Sequence, residues 1–139
     1  MKASDIMTLG AATVTPESSL ATAIRLMADH GISALPVVAP DGALRGIISE
    51  GDFFGKTTGS FQLNALCEAG RDARKAALDL ARVADLMSIE PVTVEGDAPL
   101  TKAIGLMERH GVKRLPVISN GKLVGLISRA DILRILLEA

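Results

Sequence analysis

The sequence predicts an α/β protein made of two copies of one unit. Two observations support this prediction. Residues 20–38 (LATAIRLMADHGISALPVV) align with residues 100–118 (LTKAIGLMERHGVKRLPVI). The motif GIISEGD at 46–52 likewise aligns with GLISRAD at 125–131. Self-similarity at a nearly fixed spacing indicates a duplicated structural unit. Because each copy mixes β-prone runs with helical periodicity, we expect the order β-α-β-β-α twice.

The first helix of each copy has the clearest pattern. Leu20, Ile24 and Met27 recur at helical spacing and predict one buried face. Gly31 follows the last periodic residue, which is typical of a helix end. The equivalent residues of the second copy are Leu100, Ile104, Met107 and Gly111.

Short strands, tight turns and a closing helix complete each copy. The opening strands are predicted at ATVT and PVTVE. Asp-Gly and Asn-Gly favour hairpin turns, so we expect hairpins around APDG and SNG. The closing helices are predicted to start at EGDFF and at RADILRILLEA.

The two copies span residues 2–55 and 82–137, and the connector between them spans residues 56–81. The second half of the connector is rich in Ala, Leu and Arg. We therefore expect it to contain its own helix and not a third domain.

Composition narrows the class of protein. With 15 basic and 16 acidic residues, the chain lacks the excess of positive charge that is typical of proteins that bind nucleic acid or anionic lipid. Its single Cys67 cannot form an internal disulfide and is expected to be a small buried apolar residue. No apolar run approaches the roughly 18 residues of a membrane span, and no signal peptide is visible, so we expect a cytoplasmic protein.

The repeated motif, GIISEGD at 46–52 and GLISRAD at 125–131, has a structural interpretation. Ser49 to Asp52 and Ser128 to Asp131 both fit the Ser-x-x-Asp form of a capping box, in which the two residues satisfy each other's backbone amides. Gly46 and Gly125 would then lie where a neighbouring segment approaches a strand closely.

The same motif also has a ligand-binding interpretation. A strand that ends at a helix N-terminus presents free amides that suit a phosphate. A carboxylate in that turn could accept hydrogen bonds from a vicinal diol, as on a ribose. A glycine just upstream could let a flat ligand lie against the backbone. The residues alone leave both interpretations open.

The ordered set D-[IL]-M, TV, L-x-x-A-I-x-L-M-x-x-H-G, LPV and G-x-I-S-x-x-D occurs twice. In this the chain closely resembles a tandem pair of CBS domains, a Bateman module. The resemblance covers nearly everything except the connector. It implies two repeats packed as one pseudo-twofold module, with clefts between them that bind AMP, ADP, ATP or S-adenosylmethionine.

The resemblance also implies which residues bind the nucleotide. Asp52 and Asp131 would hold the ribose, with Ser49 and Ser128 beside them. The opening strand of one repeat would face the Ser-x-x-Asp turn of the other. The implied contacts are Ala12, Thr13, Ser33, Ala34, Pro36, Ser49, Asp52, Val92, Thr93, Lys113, Arg114, Pro116, Ser128, Arg129 and Asp131.

The two implied clefts differ at one place. The position before Leu-Pro often carries a basic phosphate contact in this family. The second copy has Lys113 and Arg114 there, whereas the first has Ser33 and Ala34. We therefore expect the cleft with Arg114 to bind phosphate more tightly.

The sequence thus favours a stand-alone regulatory module that senses an adenosine-containing ligand and signals its occupancy to a partner protein. The alternative is a structural oligomerisation module with vestigial pockets. No nucleophile–base pair or metal cluster is visible, so an enzyme is not expected, and neither is an obligatory cofactor. The helices have broad apolar faces that predict a homodimer, for example at Ile132, Leu133, Ile135, Leu136 and Leu137.

Overall fold

The computed structural model describes residues 1–54 and 62–138. The helices in this part are Ala3–Ile6 (α1), Leu20–His30 (α2), Leu63–Glu68 (α3), Arg71–Leu80 (α4), Leu100–His110 (α5) and Arg129–Ile135 (α6). The strands are Ala34–Val38 (β1), Leu44–Ser49 (β2), Ser88–Ile89 (β3), Val94–Glu95 (β4), Arg114–Ser119 (β5) and Lys122–Ser128 (β6). Short 3-10 helices span Glu50–Phe53 and Val83–Asp85.

The chain divides into two compact units that exchange their opening segments. One, here called the Asp131 unit, comprises Met1–Ala11, Asp41–Leu44 and Pro91–Ala139. The other, the Asp52 unit, comprises Ala12–Pro40 and Arg45–Glu90. Each unit therefore contains the segment that opens the other copy of the repeat.

The Asp131 unit is built on the sheet β4-β5-β6. Strand β4 runs parallel to β5, with Val94 opposite Val117, and β5 and β6 form an antiparallel hairpin. Asn120 and Gly121 turn this hairpin with φ of 53° and 76°, the left-handed conformation that a tight turn requires. The buried core residues are Ala3, Val94, Ala98, Ala103, Met107, Leu115, Val117 and Ile127.

The Asp52 unit is built on the sheet β1-β2-β3. Strand β3 comes from the start of the second copy and pairs antiparallel with β2, with Gly46 opposite Ile89 and Ile47 opposite Ser88. The buried core residues are Val14, Leu20, Ala23, Met27, Leu35, Val37, Ile48, Phe53, Val83 and Leu86.

The predicted α/β class is confirmed, and so is the end of the first helix. Gly31 adopts φ of 62° as the C-cap of α2, a conformation that is accessible to glycine without a steric penalty. Leu20 and Met27 are buried as predicted. Ile24 is 38% exposed, because the buried face turns toward Ala23 instead.

Two predicted elements of the first copy were wrong. The opening run at 12–15 makes one parallel bridge, Val14 to Val37, and no strand. The closing helix is a single 3-10 turn that ends at Phe53, because Phe54 is extended. Gly51 occupies the position of Ala130, and glycine disfavours a helix where alanine supports one. Residues 55–61, at the end of the first copy and the start of the connector, lie outside the described part.

The described part of the connector, residues 62–81, contains the predicted helix as α4 and a further short helix, α3. Cys67 lies exposed on α3, so the expectation that it is buried was wrong. Among the described residues, no helix combines the length and apolar character needed to cross a membrane.

Candidate functional site

The Ser-x-x-Asp turn of the second copy is a complete capping box at the start of α6. Ser128 N–H donates to Oδ2 of Asp131 at 2.9 Å, and Asp131 N–H donates to Oγ of Ser128 at 3.1 Å. Asp131 is 8% exposed. The predicted structural role of this motif is therefore confirmed in the second copy.

The equivalent turn of the first copy holds its aspartate in the same way. Ser49 N–H donates to Oδ2 of Asp52 at 2.8 Å, and the Ser49 hydroxyl lies 3.3 Å from the same oxygen. Asp52 is 7% exposed. Among the described residues, Asp52 and Asp131 are the buried charged side chains.

Each buried aspartate also accepts a hydrogen bond from the opening segment of the other copy. Ser88 Oγ donates to Oδ1 of Asp52 at 3.2 Å. Thr8 Oγ1 donates to Oδ2 of Asp131 at 3.5 Å, the upper limit for such a bond. Asp131 additionally forms an ion pair through Oδ1 with Arg134, one turn further along α6.

Sequence reasoning missed Ser88, Thr8 and Arg134. A signal was present for the first two, since Thr8 and Ser88 occupy the same position of the repeat, directly after the shared methionines. Two hydroxyl residues at equivalent positions indicate a shared polar contact. Arg134 carried no such signal.

Gly46 and Gly125 are glycines because the opening segments approach them closely, as the structural interpretation predicts. A Cβ on Gly46 would overlap the backbone carbonyl of Ser88. A Cβ on Gly125 would lie 2.6 Å from Sδ of Met7 and 3.0 Å from the Thr8 carbonyl oxygen. The chain itself therefore fills the space that the ligand-binding interpretation reserved for a flat ligand.

The residue just before β1 and the residue just before β5 each lie at the Ser-x-x-Asp turn of their own copy. Glu50 N–H donates to the Ser33 carbonyl at 2.9 Å, and Arg129 N–H donates to the Lys113 carbonyl at 3.1 Å. Arg114 lies directly opposite Ser128 in the β5–β6 ladder. Residues that the resemblance assigned to phosphate and ribose thus share one end of the sheet.

The remaining candidate residues lie further along the chain. Pro36 and Pro116 are buried, and Ala34 is half-buried at the start of β1. Ala12 and Thr13 belong to the Asp52 unit and Val92 and Thr93 to the Asp131 unit. That each pair faces the turn of the other repeat stays a prediction.

In the described part of the chain, no group of three or more His, Cys, Asp or Glu residues is arranged to hold a metal ion.

Comparison with known proteins gives a family match over most of the chain. The sequence pattern of the CBS domain matches residues 3–57 and 83–138. The CBS domain-containing protein YhcV of Bacillus subtilis is 32% identical over 128 residues, which cover 92% of this chain and 80% of that protein. Hypoxic response protein 1 of Mycobacterium tuberculosis is 34% identical over 137 residues, which cover 98% and 85%.

Solved structures share the fold. The crystal structure of CBSX2 of Arabidopsis thaliana in complex with AMP is 27% identical with a TM-score of 0.76, covering 99% of this chain and 96% of that one. The structure of Hypoxic Response Protein I with two coordinated zinc ions is 29% identical with a TM-score of 0.73, covering 96% and 98%.

Proposed function

Since this chain belongs to the CBS domain family, as a tandem pair, we propose that it is a regulatory module that binds an adenosine-containing ligand and passes its occupancy to a partner protein. The ligand class is AMP, ADP, ATP or S-adenosylmethionine. The observation that carries the proposal is the pair of buried carboxylates, Asp52 and Asp131, at equivalent positions of the two copies. The AMP complex of CBSX2 supports the ligand class.

The hydrogen bonds of the two aspartates suit a ribose. A buried carboxylate requires hydrogen-bond donors, because burying the charge without them costs free energy. Ser88 and Thr8 supply hydroxyl donors at present. A ribose diol supplies donors of the same kind, so it replaces one of these hydroxyls without leaving the carboxylate unsatisfied.

The neighbouring residues fit the rest of such a ligand. Arg114 and Lys113 provide cations next to the Ser128 turn, where the phosphate of a nucleotide would be held by charge-assisted hydrogen bonds. Pro36 and Pro116 are buried, and the half-buried Ile32 and Val112 just before the two strands provide apolar surface for the adenine. The chain is only 2% aromatic, so aliphatic side chains and backbone take the part that aromatic stacking plays elsewhere.

Binding and stability measurements test the proposal. A ligand that binds only the folded state raises the melting temperature of the wild type, and we expect this for at least one of AMP, ATP and S-adenosylmethionine. Calorimetry with Asp52→Ala and Asp131→Ala should show weakened binding. Asp29→Ala, which removes an exposed carboxylate of α2, is the matched control. Unchanged melting with every ligand, or wild-type affinity in both aspartate variants, contradicts the proposal.

We also propose that the partner includes a second copy of this chain. Two apolar grooves occupy equivalent positions in the two copies. One, of about 290 Å³, lies between α5 and α6 beside Leu133, and the other, of about 300 Å³, lies between α2 and the 3-10 turn beside Phe54. Leu133 is 61% exposed and Phe54 66% exposed. Large exposed apolar residues around a groove favour an interface.

The assembly is measured by light scattering. A homodimer should have twice the 14.5 kDa mass of the chain, and Leu133→Asp should shift it toward the monomer. Leu80→Asp changes a leucine that is 75% exposed and lines neither groove, so the dimer should persist. A monomeric wild type at tens of micromolar removes this part of the proposal. A dimer that binds none of the ligands favours the purely structural alternative.

A further inference from the structure

We propose that the groove between α2 and α4 of the Asp52 unit binds a small organic phosphate. The groove has a volume of about 460 Å³, within the usual range for small-molecule sites. It is lined by the cationic side chains of Arg25, Arg71, Arg74 and Lys75 and by apolar side chains that include Ile24 and Leu78. A site lined by both cations and apolar side chains fits an anion that carries an apolar part.

The cations lie together because of helical periodicity. Arg71, Arg74 and Lys75 are spaced i, i+3 and i+4 along α4, so they project from one face, and Leu78 extends that face by one turn. Arg25 of α2 faces the same groove. Side chains from two helices therefore converge on one volume.

The charges in the groove are unbalanced, although those of the whole chain are not. The chain has 15 basic and 16 acidic residues, whereas Asp79 is the one acidic side chain among the described residues that line the groove. Asp79 forms an ion pair with Lys75 at 2.9 Å. Among the described residues, no ion pair involves the three arginines Arg25, Arg71 or Arg74.

Three guanidinium groups without carboxylate partners favour phosphate in particular. A guanidinium presents a planar fork of donors that can bind two phosphate oxygens at once, and its charge is permanent. The simple alternative is a solvated helix face, in which acidic residues alternate with basic ones. Asp72 does alternate in sequence, but it does not line the groove.

This site is separate from the Ser-x-x-Asp turns. Helix α4 belongs to the connector, which has no counterpart in the repeat, so the repeat does not supply this face of the groove a second time. Its occupancy does not depend on the proposed nucleotide function.

Tripolyphosphate is the probe, because it carries the anion without an adenosine. Calorimetry of the full chain, with and without millimolar AMP, should show binding that weakens as salt concentration rises, since exposed charges are screened. The double variant Arg71→Gln with Arg74→Gln should lower the affinity about tenfold or more. Arg25→Gln tests the α2 side, and Arg45→Gln, an exposed arginine on β2, is the control with wild-type affinity.

The outcomes separate this site from the nucleotide site. AMP affinity should be the same in the double variant and the wild type, and failure of AMP to bind at all bears on the proposed function alone. Wild-type tripolyphosphate affinity in both the double variant and Arg25→Gln overturns the inference. Absence of binding at millimolar tripolyphosphate in low salt overturns it as well. If the double variant has a lower melting temperature than the wild type, the tripolyphosphate affinity of Arg25→Gln is the test of the site.

Discussion

The hydroxyl of Ser88 donates a hydrogen bond of 3.2 Å to the buried carboxylate of Asp52. Ser88 opens the second copy of the repeat, and Asp52 closes the first. Thr8 and Asp131 repeat the relationship in the other unit, with the order of the copies reversed. The duplicated sequence thus builds two polar contacts, each between residues from different copies.

Ser88→Ala removes one of these donors from Asp52. We expect a loss of about 0.5–1.5 kcal/mol in the free energy of unfolding, the usual net contribution of one hydrogen bond. Thr8→Ala should cost less, because its bond is longer and Arg134 also pairs with Asp131. Urea denaturation measures both. No loss from Ser88→Ala would show that the backbone pairing of β3 with β2 holds this segment without the side-chain hydrogen bond. A loss from Thr8→Ala as large as that from Ser88→Ala would contradict the expected ranking.

Gly46→Ala and Gly125→Ala should differ in their cost. At Gly46 the new methyl group meets the fixed carbonyl of Ser88, whereas at Gly125 it first meets the flexible side chain of Met7. Overpacking of this kind costs about 1–3 kcal/mol, and we expect Gly46→Ala to be the more damaging. Thermal denaturation measures both variants.

A double-mutant cycle tests the cause at Gly125. In a Met7→Ala background, Gly125→Ala should cost less than it does in the wild type, because the sulfur that lies in its way is gone. Additive effects of Met7→Ala and Gly125→Ala contradict this explanation and place the strain at the Thr8 carbonyl.

Two glycines of α5 should respond to alanine with opposite signs. Gly111 caps the helix with φ of 63°, where alanine costs about 1–2 kcal/mol. Gly105 lies inside the helix, and no atom is near its missing Cβ, so alanine should stabilise by about 0.5–1 kcal/mol. Chemical denaturation compares them within one helix. Destabilisation by Gly105→Ala would point to a packing role that the structure does not show.

The two proposed nucleotide sites should bind phosphate unequally. Arg114→Ala should weaken ATP binding by about ten- to a hundredfold, the equivalent of losing one charge-assisted contact. Binding of adenosine, which lacks phosphate, should stay unchanged. Arg109→Ala, on the exposed surface of α5, controls for net charge. Tight ATP binding in Arg114→Ala shows that the difference between Arg114 and its equivalent, Ala34, has no functional effect.

Local features of the fold could be predicted from the sequence, and contacts between distant residues could not. Helices α2 and α5 follow from periodicity and from the glycines that end them, both of which depend on neighbouring residues. The capping boxes at Ser49 and Ser128 follow from a four-residue spacing. The exchange of opening segments depends on which sheet edge each segment pairs with. Short-range sequence patterns do not specify such a long-range pairing.

The same distinction applies to the candidate site. Asp52 and Asp131 could be identified because the motif around them is repeated. Ser88 lies 36 positions from the aspartate that it contacts, and Thr8 lies 123 positions away. The repeat marks Thr8 and Ser88 as equivalent, but the aspartate that each one contacts becomes apparent only when the chain is folded. The cationic groove was equally hidden, because the sequence of α4 does not show that Arg25 lies across from it.

The exchange of opening segments also determines which of the two units can fold first during translation. All residues of the Asp52 unit precede Pro91, so that unit can fold as soon as residue 90 has left the ribosome. The Asp131 unit needs Met1–Ala11 together with residues from Pro91 onward. Met1–Ala11 must therefore wait for residues that are made much later, since Thr8 finds Asp131 only after 123 further positions have been added. Contacts of such long range slow folding. During translation, Met1–Ala11 is then without its partners in the Asp131 unit and, like other unfolded segments, accessible to chaperones and proteases.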